Sequence, residues 1–265
     1  MTDRSPAEPP SPTTAFIEWK AVTKAFAGNP VLRGMNLAVD RGEVMFIIGA
    51  SGAGKSVTIK HLIGLLRIDA GEIWFDGQRV DQLPEHALAP LRKRIGMVFQ
   101  SSTLFDSMTL AENVALPLRM HQRMSWPAAI KDASRRLEQV YMAEHAERYP
   151  AELSDGMRKR AAIARTLALG PEVVLFDEPT TGLDPVSARR IDRLIRELAK
   201  NLGMTAIVVS HDPPSMFGIA DRVAFLYQGV VHALATPGEL RASSDPIVQQ
   251  FITGQSSGPM ETPGF

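Results

Sequence analysis

Val44-Met45-Phe46-Ile47-Ile48 runs directly into Gly49-Ala50-Ser51-Gly52-Ala53-Gly54-Lys55-Ser56. The unbroken apolar run reads as a strand buried on both faces, and the residues after it fit the pattern G-x-x-x-x-G-K-[ST]. Gly49, Gly52 and Gly54 let backbone N–H groups turn inward around a polyphosphate, since no Cβ blocks the approach. Ala50, Ser51 and Ala53 complete that backbone cradle. Lys55 is placed to reach β- and γ-phosphates, and the Ser56 hydroxyl to ligate Mg²⁺. The helix that starts here turns its positive N-terminus toward the same anion. A chance glycine-rich turn would lack the strand before it and the Lys-Ser after it, so the stretch specifies a site for a nucleoside triphosphate.

Two further continuous apolar runs, Val173-Val174-Leu175-Phe176 and Ala206-Ile207-Val208-Val209, join 44–48 as strands of a parallel sheet covered by helices. Asp177-Glu178-Pro179 follows the first of them. A carboxylate at the end of a parallel strand beside a phosphate loop is placed to hold Mg²⁺ through water, the role expected of Asp177. Glu178, one residue on, is placed to orient and polarise the water that attacks a γ-phosphate. His211 follows the other run and Ser210, on the same sheet edge, and is expected to touch the γ-phosphate. No histidine has metal-ligand spacing of the H-E-x-x-H kind. One covering helix is sharply marked: Asp184 is its N-cap, Pro185 lies in its first turn, and Gly203 closes it. Its apolar stripe is Ile191, Leu194, Ile195, Leu198 and Leu202.

The early segments have a different pattern. Ile17 and Trp19, Leu37 and Val39, then Ile73 and Phe75 before Asp76-Gly77, alternate as in an antiparallel sheet. Between 102 and 170 only helical patterns occur, among them 127–142, so a helical lobe is inserted between the phosphate loop and the next core strand. The proline-rich segment 1–14 and the polar segment 255–265 are expected to be disordered tails flanking one domain over 15–254.

Composition narrows the function. The 265 residues carry 29 basic and 29 acidic side chains, so no electrostatic footprint for nucleic acid stands out. With no cysteine, disulfides and thiol catalysis are excluded. No apolar stretch approaches the ~20 residues of a membrane span, and no basic-then-apolar signal pattern opens the chain. The expectation is a cytoplasmic protein that meets a membrane only through a partner.

At this point the chain resembles the ATP-binding-cassette (ABC) ATPases, from about Ile17 to Gly254. Phe26 stands where that family keeps an adenine-stacking aromatic residue. Gln100, ending Ile95-Gly96-Met97-Val98-Phe99-Gln100, matches the glutamine that contacts Mg²⁺ and senses the transporter. Leu153-Ser154-Asp155-Gly156-Met157 occupies the signature position, usually Leu-Ser-Gly-Gly-Gln. Asp177 and Glu178 match the Walker B aspartate and catalytic glutamate, Thr181-Gly182-Leu183-Asp184 the loop that communicates across the dimer, and His211 the switch histidine. The resemblance implies an α/β fold of the P-loop NTPase class: a RecA-like parallel core, an N-terminal antiparallel β subdomain and an inserted α-helical subdomain. It also implies ATP and Mg²⁺ as ligands and a head-to-tail homodimer. Each ATP would lie between one copy's phosphate loop and the other's Ser154 and Gly156. A separate integral membrane permease would hold the pair at the cytoplasmic face of the inner membrane.

Two signature positions depart from the family pattern. Asp155 replaces a glycine, where a carboxylate either slows turnover or serves as a helix cap. Met157 replaces glutamine ahead of Arg158-Lys159-Arg160-Ala161-Ala162. That substitution, with the segment Asp245-Pro246-Ile247-Val248-Gln249-Gln250-Phe251-Ile252-Thr253-Gly254, resembles the Mla/MCE branch, whose transporters move phospholipids or other hydrophobic molecules and include an MCE-type lipid-binding protein. The plainer reading of the basic residues is a solvated helix face, with Met157, Ala161, Ala164 and Ala168 turned inward. Phe105, Met108 and Leu110 are either apolar surface for a permease helix or ordinary core of the lobe. Phe251 and Ile252 suggest a tail, 245–265, that folds onto a neighbouring subunit. The alternatives to a lipid-transport motor are an importer ATPase for amino acids or other small polar solutes, a DNA-repair or translation ATPase, and a regulatory nucleotide binder. The neutral charge and the absence of a second cassette or long coiled coil weigh against the repair and translation class.

Overall fold

The structure is a computed structural model and describes residues 15–260; the expected tail 1–14 and positions 261–265 lie outside the described residues. The chain opens with β1 (Ile17–Phe26) and β2 (Asn29–Val39), enters the core with β3 (Val44–Ile48) and turns into α1 (Lys55–Leu62). Strands β4 (Ala70–Phe75) and β5 (Gln78–Arg79) return to the first sheet before α2 (Glu85–Arg94) and β6 (Ile95–Val98). Next come α3 (Leu110–Gln122), α4 (Trp126–Gln139) and α5 (Asp155–Leu167), with only 3₁₀ turns between α4 and α5. The core resumes as β7 (Val173–Asp177), α6 (Pro185–Leu202), β8 (Thr205–Ser210) and α7 (Pro213–Ile219). The hairpin β9 (Arg222–Tyr227) and β10 (Val230–Ala235) and the helices α8 (Pro237–Ala242) and α9 (Pro246–Thr253) complete it.

The expected division into two sheets is present. One is antiparallel with order β2-β1-β4-β5; the other has order β10-β9-β3-β8-β7-β6, parallel except for β10. Alternation along the core strands explains their unbroken hydrophobicity. Val44, Phe46, Ile48, Val174, Phe176 and Val208 face the helical side with α3, α5 and α6. Met45, Ile47, Leu175, Ile207 and Val209 face α1 and the antiparallel sheet. Trp19, fully buried, donates its indole N–H to the Thr58 carbonyl at 3.2 Å and so fixes that sheet to α1.

Register is what builds the site. Ile48 pairs with Ser210 and Asp177 with Val209, so the loops after β3, β7 and β8 leave the same edge of the sheet side by side. Ligand sites in open parallel sheets lie outside such carboxyl ends.

Strand β6 and the β9–β10 hairpin are among the elements the sequence reading passed over. Strand β6 is short and contains Gly96, whose added Cβ would sit 2.5 Å from Thr166 Cγ2, so the glycine serves the close approach of α5 to the sheet. The β9–β10 hairpin turns at Gln228 (φ 47°) and Gly229 (φ 81°), an αL-αL pair that favours the twist of a tight hairpin. The helix expected at 127–142 spans Trp126–Gln139, and Tyr141 then turns the chain at φ 57°. Of the segment expected to be loose, residues 255–260 fold back, with the Met260 N–H donating to Gln250 Oε1 at 2.7 Å. The Phe251 ring lies 5.1 Å from Phe225. Phe251 and Ile252 pack against the chain's own core, which removes the ground for expecting them on a neighbour.

Candidate functional site

The loop from Gly49 to Gly54 is shaped by its glycines. Gly49 takes φ 151°, and a Cβ there would lie 2.2 Å from the Leu226 carbonyl oxygen. Gly54, at φ 100°, is the N-cap of α1 and offers no side-chain cap. The first N–H groups of α1 are therefore left without a side-chain acceptor, the arrangement that favours an anion at a helix N-terminus. Lys55 is buried at the start of α1, donating to the Gly49 and Ala50 carbonyls at 2.9 and 3.0 Å. Its Nζ is 4.0 Å from Glu178 Oε1. Burial lowers its pKa, and the charges of Glu178 and Asp177 oppose that shift.

Ser56 donates to Asp177 Oδ1 at 2.5 Å, and Lys60 holds the other carboxylate oxygen at 3.3 Å. A hydroxyl and a buried carboxylate this close suit Mg²⁺, which takes few protein oxygens and fills its shell with water and phosphate. Gln100 lines the same cleft, so Ser56, Asp177 and Gln100 are the residues that would hold the ion.

Glu178 has φ 53°, and its N–H donates to the Val209 carbonyl at 3.0 Å. Its Oε2 accepts from His211 Nδ1 at 2.7 Å and from Thr181 Oγ1 at 3.0 Å. The carboxylate is thus aimed from within its own loop by Thr181 and from the end of β8 by His211. His211 itself is 60% exposed and free to meet a ligand. Phe26, Ser51, Gly52, Gly54, Lys55, Ser56, Gln100, Glu178 and His211 converge on one cleft of about 460 Å³, joined by Val31 and Val57. The half-exposed Phe26 ring carries Lys24 Nζ at 5.3 Å.

Ser154 and Gly156 do not reach that cleft within the chain. They line a separate one of about 330 Å³, with Arg160, Arg190, Arg193 and Tyr141 among its walls. Ser154 is the N-cap of α5, accepting from Met157 N–H at 3.4 Å, so the cap expected of Asp155 belongs to its neighbour. Asp155 lies in the first helical turn and pairs with Arg158 Nη2 at 2.5 Å. Ala161, Ala164 and Ala168 are buried and Met157 partly so, as an inward stripe requires. The basic residues are not simply a solvated face. Lys159 is buried with its Nζ on the Gln100 carbonyl, and Arg160 Nη1 donates to the Tyr141 carbonyl at 3.0 Å. Of the apolar trio in the lobe, Leu110 is fully buried core, Met108 half-buried, and Phe105 exposed beneath Arg165. Leu110 is therefore unavailable to a partner.

Sequence reasoning named Thr181 only as part of a loop and passed over Lys60 and Lys159. Lys60 and Lys159 touch the site through contacts between elements distant in sequence, a relation that no local motif encodes, whereas Thr181 reaches Glu178 from within the same loop. Among the described residues, no group of three or more His, Cys, Asp or Glu forms a metal cluster.

A protein-family model described as ABC transporter matches residues 32–181. The intermembrane phospholipid transport system ATP-binding protein MlaF of Escherichia coli (strain K12) is 39% identical, the match covering 92% of this chain and 91% of that protein. The methionine import ATP-binding protein MetN of Brucella abortus (strain 2308) is 40% identical over 94% of this chain but only 64% of its own length. Among solved structures, the dimeric, post-hydrolysis ATP-binding cassette MJ0796 bound to ADP and Pi superposes with a TM-score of 0.76 at 32% identity, covering 83% of this chain and 98% of that one.

Proposed function

The chain belongs to the ABC transporter family, and from that premise we propose that it is the ATP-hydrolysing subunit of an envelope transporter that moves phospholipid or another hydrophobic molecule through a separate permease. The observation that carries the ATPase reading is the convergence of Lys55, Ser56, Asp177, Glu178 and His211 at one sheet edge. A triphosphate on the loop would meet the N–H groups at the head of α1. Lys55 would exchange the Gly49 and Ala50 carbonyls for phosphate oxygens, a better partner for a buried ammonium. Mg²⁺ held by Ser56, Asp177 and Gln100 would neutralise charge developing on the phosphates. Glu178, held by His211 and Thr181, orients the attacking water and takes up its proton. His211 contacts the γ-phosphate, and Phe26 offers its face to the base.

The cleft beside Ser154 and Gly156 supports a second half-site. It joins the N-terminus of α5 to three arginines, a surface fitted to an anion that this chain's own loop does not present to it. Two copies packed head to tail would bring each loop to the other's α5. Loss of the γ-phosphate would then weaken the contact and open the pair.

The phospholipid reading rests on near full-length similarity to the MlaF protein and on the branch-like Met157 and 245–254 segments. The similarity to a methionine import protein keeps a small-solute importer as the second reading. The chain has no helix, among the described residues, long and apolar enough to cross a membrane. Membrane attachment at the cytoplasmic face would therefore be through a permease, with an MCE-type lipid-binding protein as a further partner. Reconstituting the chain in liposomes with the permease that co-purifies with it tests both readings. Phospholipid stimulation of phosphate release, with ATP-dependent lipid transfer, is expected. Stimulation by methionine instead would replace the substrate class.

A further inference from the structure

An exposed imidazole is not held in place by packing, so apart from the hydrogen bond to Glu178 the direction of His211 is set by its backbone. That backbone is unusually well fixed on both sides. Ser210 ends β8 fully buried, and its Oγ accepts from the Asp212 N–H at 3.0 Å. The Asp212 carboxylate takes a hydrogen bond from Arg189 Nη2 of α6 and one from Ser215 Oγ of α7 at 2.9 Å. Ser215, 1% exposed, also lies 2.9 Å from Asp192 Oδ2, and Arg189 Nη2 reaches Ser215 Oγ at 3.0 Å. Arg189 Nη1 sits 2.9 Å from Asp192 Oδ2. The four side chains form a closed ring between α6 and α7, immediately behind His211.

We infer that Arg189, Asp192, Asp212 and Ser215 form a clasp that positions His211 against Glu178 and ties it to α6. The inference deepens the proposed function, since it takes His211 as the residue that meets the γ-phosphate. Its second link matters as much as its first. Helix α6 is capped by Asp184, whose Oδ1 accepts from Val186 and Ser187 N–H at 2.9 and 3.0 Å. The Thr181-Gly182-Leu183-Asp184 loop, placed at the dimer contact by the family resemblance, is thus joined to His211 through one helical turn and the clasp.

The chemistry of the ring supports a positioning device over simple packing. A serine hydroxyl has one proton and cannot donate to two carboxylates at once. One guanidinium then faces two acids, and burial pushes the Asp192 carboxyl up to about 6, with the Asp212 charge adding to the shift and Ser215 and Arg189 opposing it. Asp192 Oδ1 and Arg189 Nη1 have no hydrogen-bond partner, so the Arg189–Asp192 edge of the ring is an ion pair only. Stability alone would be served as well by apolar residues of similar volume at the α6–α7 contact. What this ring adds is direction.

The full-length protein tests it through Ser215→Ala and Asp192→Asn, with Ser215→Thr as the variant that keeps a hydroxyl. Steady-state phosphate release should show kcat lowered at least fivefold in the first two while KM for ATP stays within twofold. Ser215→Thr should return kcat to within twofold of the parent. The His211 ring signal in a histidine-labelled NMR spectrum should move in both impaired variants, because its contact with Glu178 loosens. An unmoved His211 signal, whatever the thermal midpoint, overturns the clasp, as does an unchanged kcat where His211→Ala is itself impaired. His211→Ala, measured in parallel, separates the two claims. If it turns over at the parent rate, the role of His211 in hydrolysis falls, and the ring signal still decides whether the clasp positions it.

Discussion

Glu178 pays for its orientation in backbone strain: a non-glycine residue at φ 53° costs on the order of 1 kcal/mol, recovered through its N–H bond to Val209 and its two side-chain partners. Glu178→Gln keeps the shape and removes the base, so ATP binding should persist while phosphate release falls by about 10²-fold or more. Turnover near the parent rate would place the base elsewhere. Lys55→Ala removes the buried ammonium from the loop, and a fluorescent ATP analogue should lose its tight binding. Asp155 is a different case. Its charge is matched by Arg158, so Asp155→Gly should leave turnover within about twofold of the parent, and stability should fall by about 1 kcal/mol from glycine in the helix. A several-fold rise in phosphate release would show that the carboxylate restrains the engine. His61 supplies a pH effect. Burial first, then the Lys24 charge, lowers its pKa from 6.5 to about 4. The unfolded chain therefore binds the proton more readily, and stability is full above pH 6.5 and declines as pH falls toward 4. By pH 5 the loss should be about 2 kcal/mol, and urea unfolding of His61→Leu at pH 8 and 5 should lack that difference.

Among elements, legibility followed how local the signal was. Helix α6 was readable end to end because Asp184, Pro185, the apolar stripe and Gly203 are all neighbours in sequence. Asp184→Ala should destabilise the protein by about 1 kcal/mol in urea unfolding, since it removes the acceptor for two N–H groups. Strand β3 and its loop were equally plain. Strand β6 was not, because its glycine answers to Thr166 of α5, some seventy positions away. The same reason hid Lys159. A lysine among basic residues looks solvated until the fold brings the Gln100 carbonyl to its ammonium. Motifs disclosed the groups on the strand ends and the loop that holds Thr181, whereas the Arg189–Ser215 ring behind His211 joins two other elements and carries no spacing of its own.

At the scale of the whole molecule, one chain holds two unlike halves of a site. The loop half has Lys55, Ser56, Asp177, Glu178 and His211; the α5 half has Ser154, Gly156 and the arginines of the other cleft, and no residue lines both. A monomer using its own α5 would have to bring the two clefts together by moving the helical lobe against the sheet. Packing of Val114, Ile163 and Leu167 into the same cluster as Phe46 and Phe176 opposes such a motion. In the proposed head-to-tail pair, two copies related by a two-fold axis would join each loop half to the other copy's α5 half and make two equivalent composite sites. Complementation distinguishes the arrangements. Lys55→Ala disables the loop half, and Gly156→Glu places a carboxylate at the head of α5, where the added Cβ would meet only Ser187 Cβ at 3.9 Å. Each variant alone should release almost no phosphate. Mixed in equal amounts, half the dimers hold one copy of each, and in a head-to-tail pair one of their two sites is assembled from intact halves. The mixture should recover roughly a quarter of the parent turnover if the sites act independently. Without recovery, each ATP would be held and hydrolysed by the two halves of a single chain.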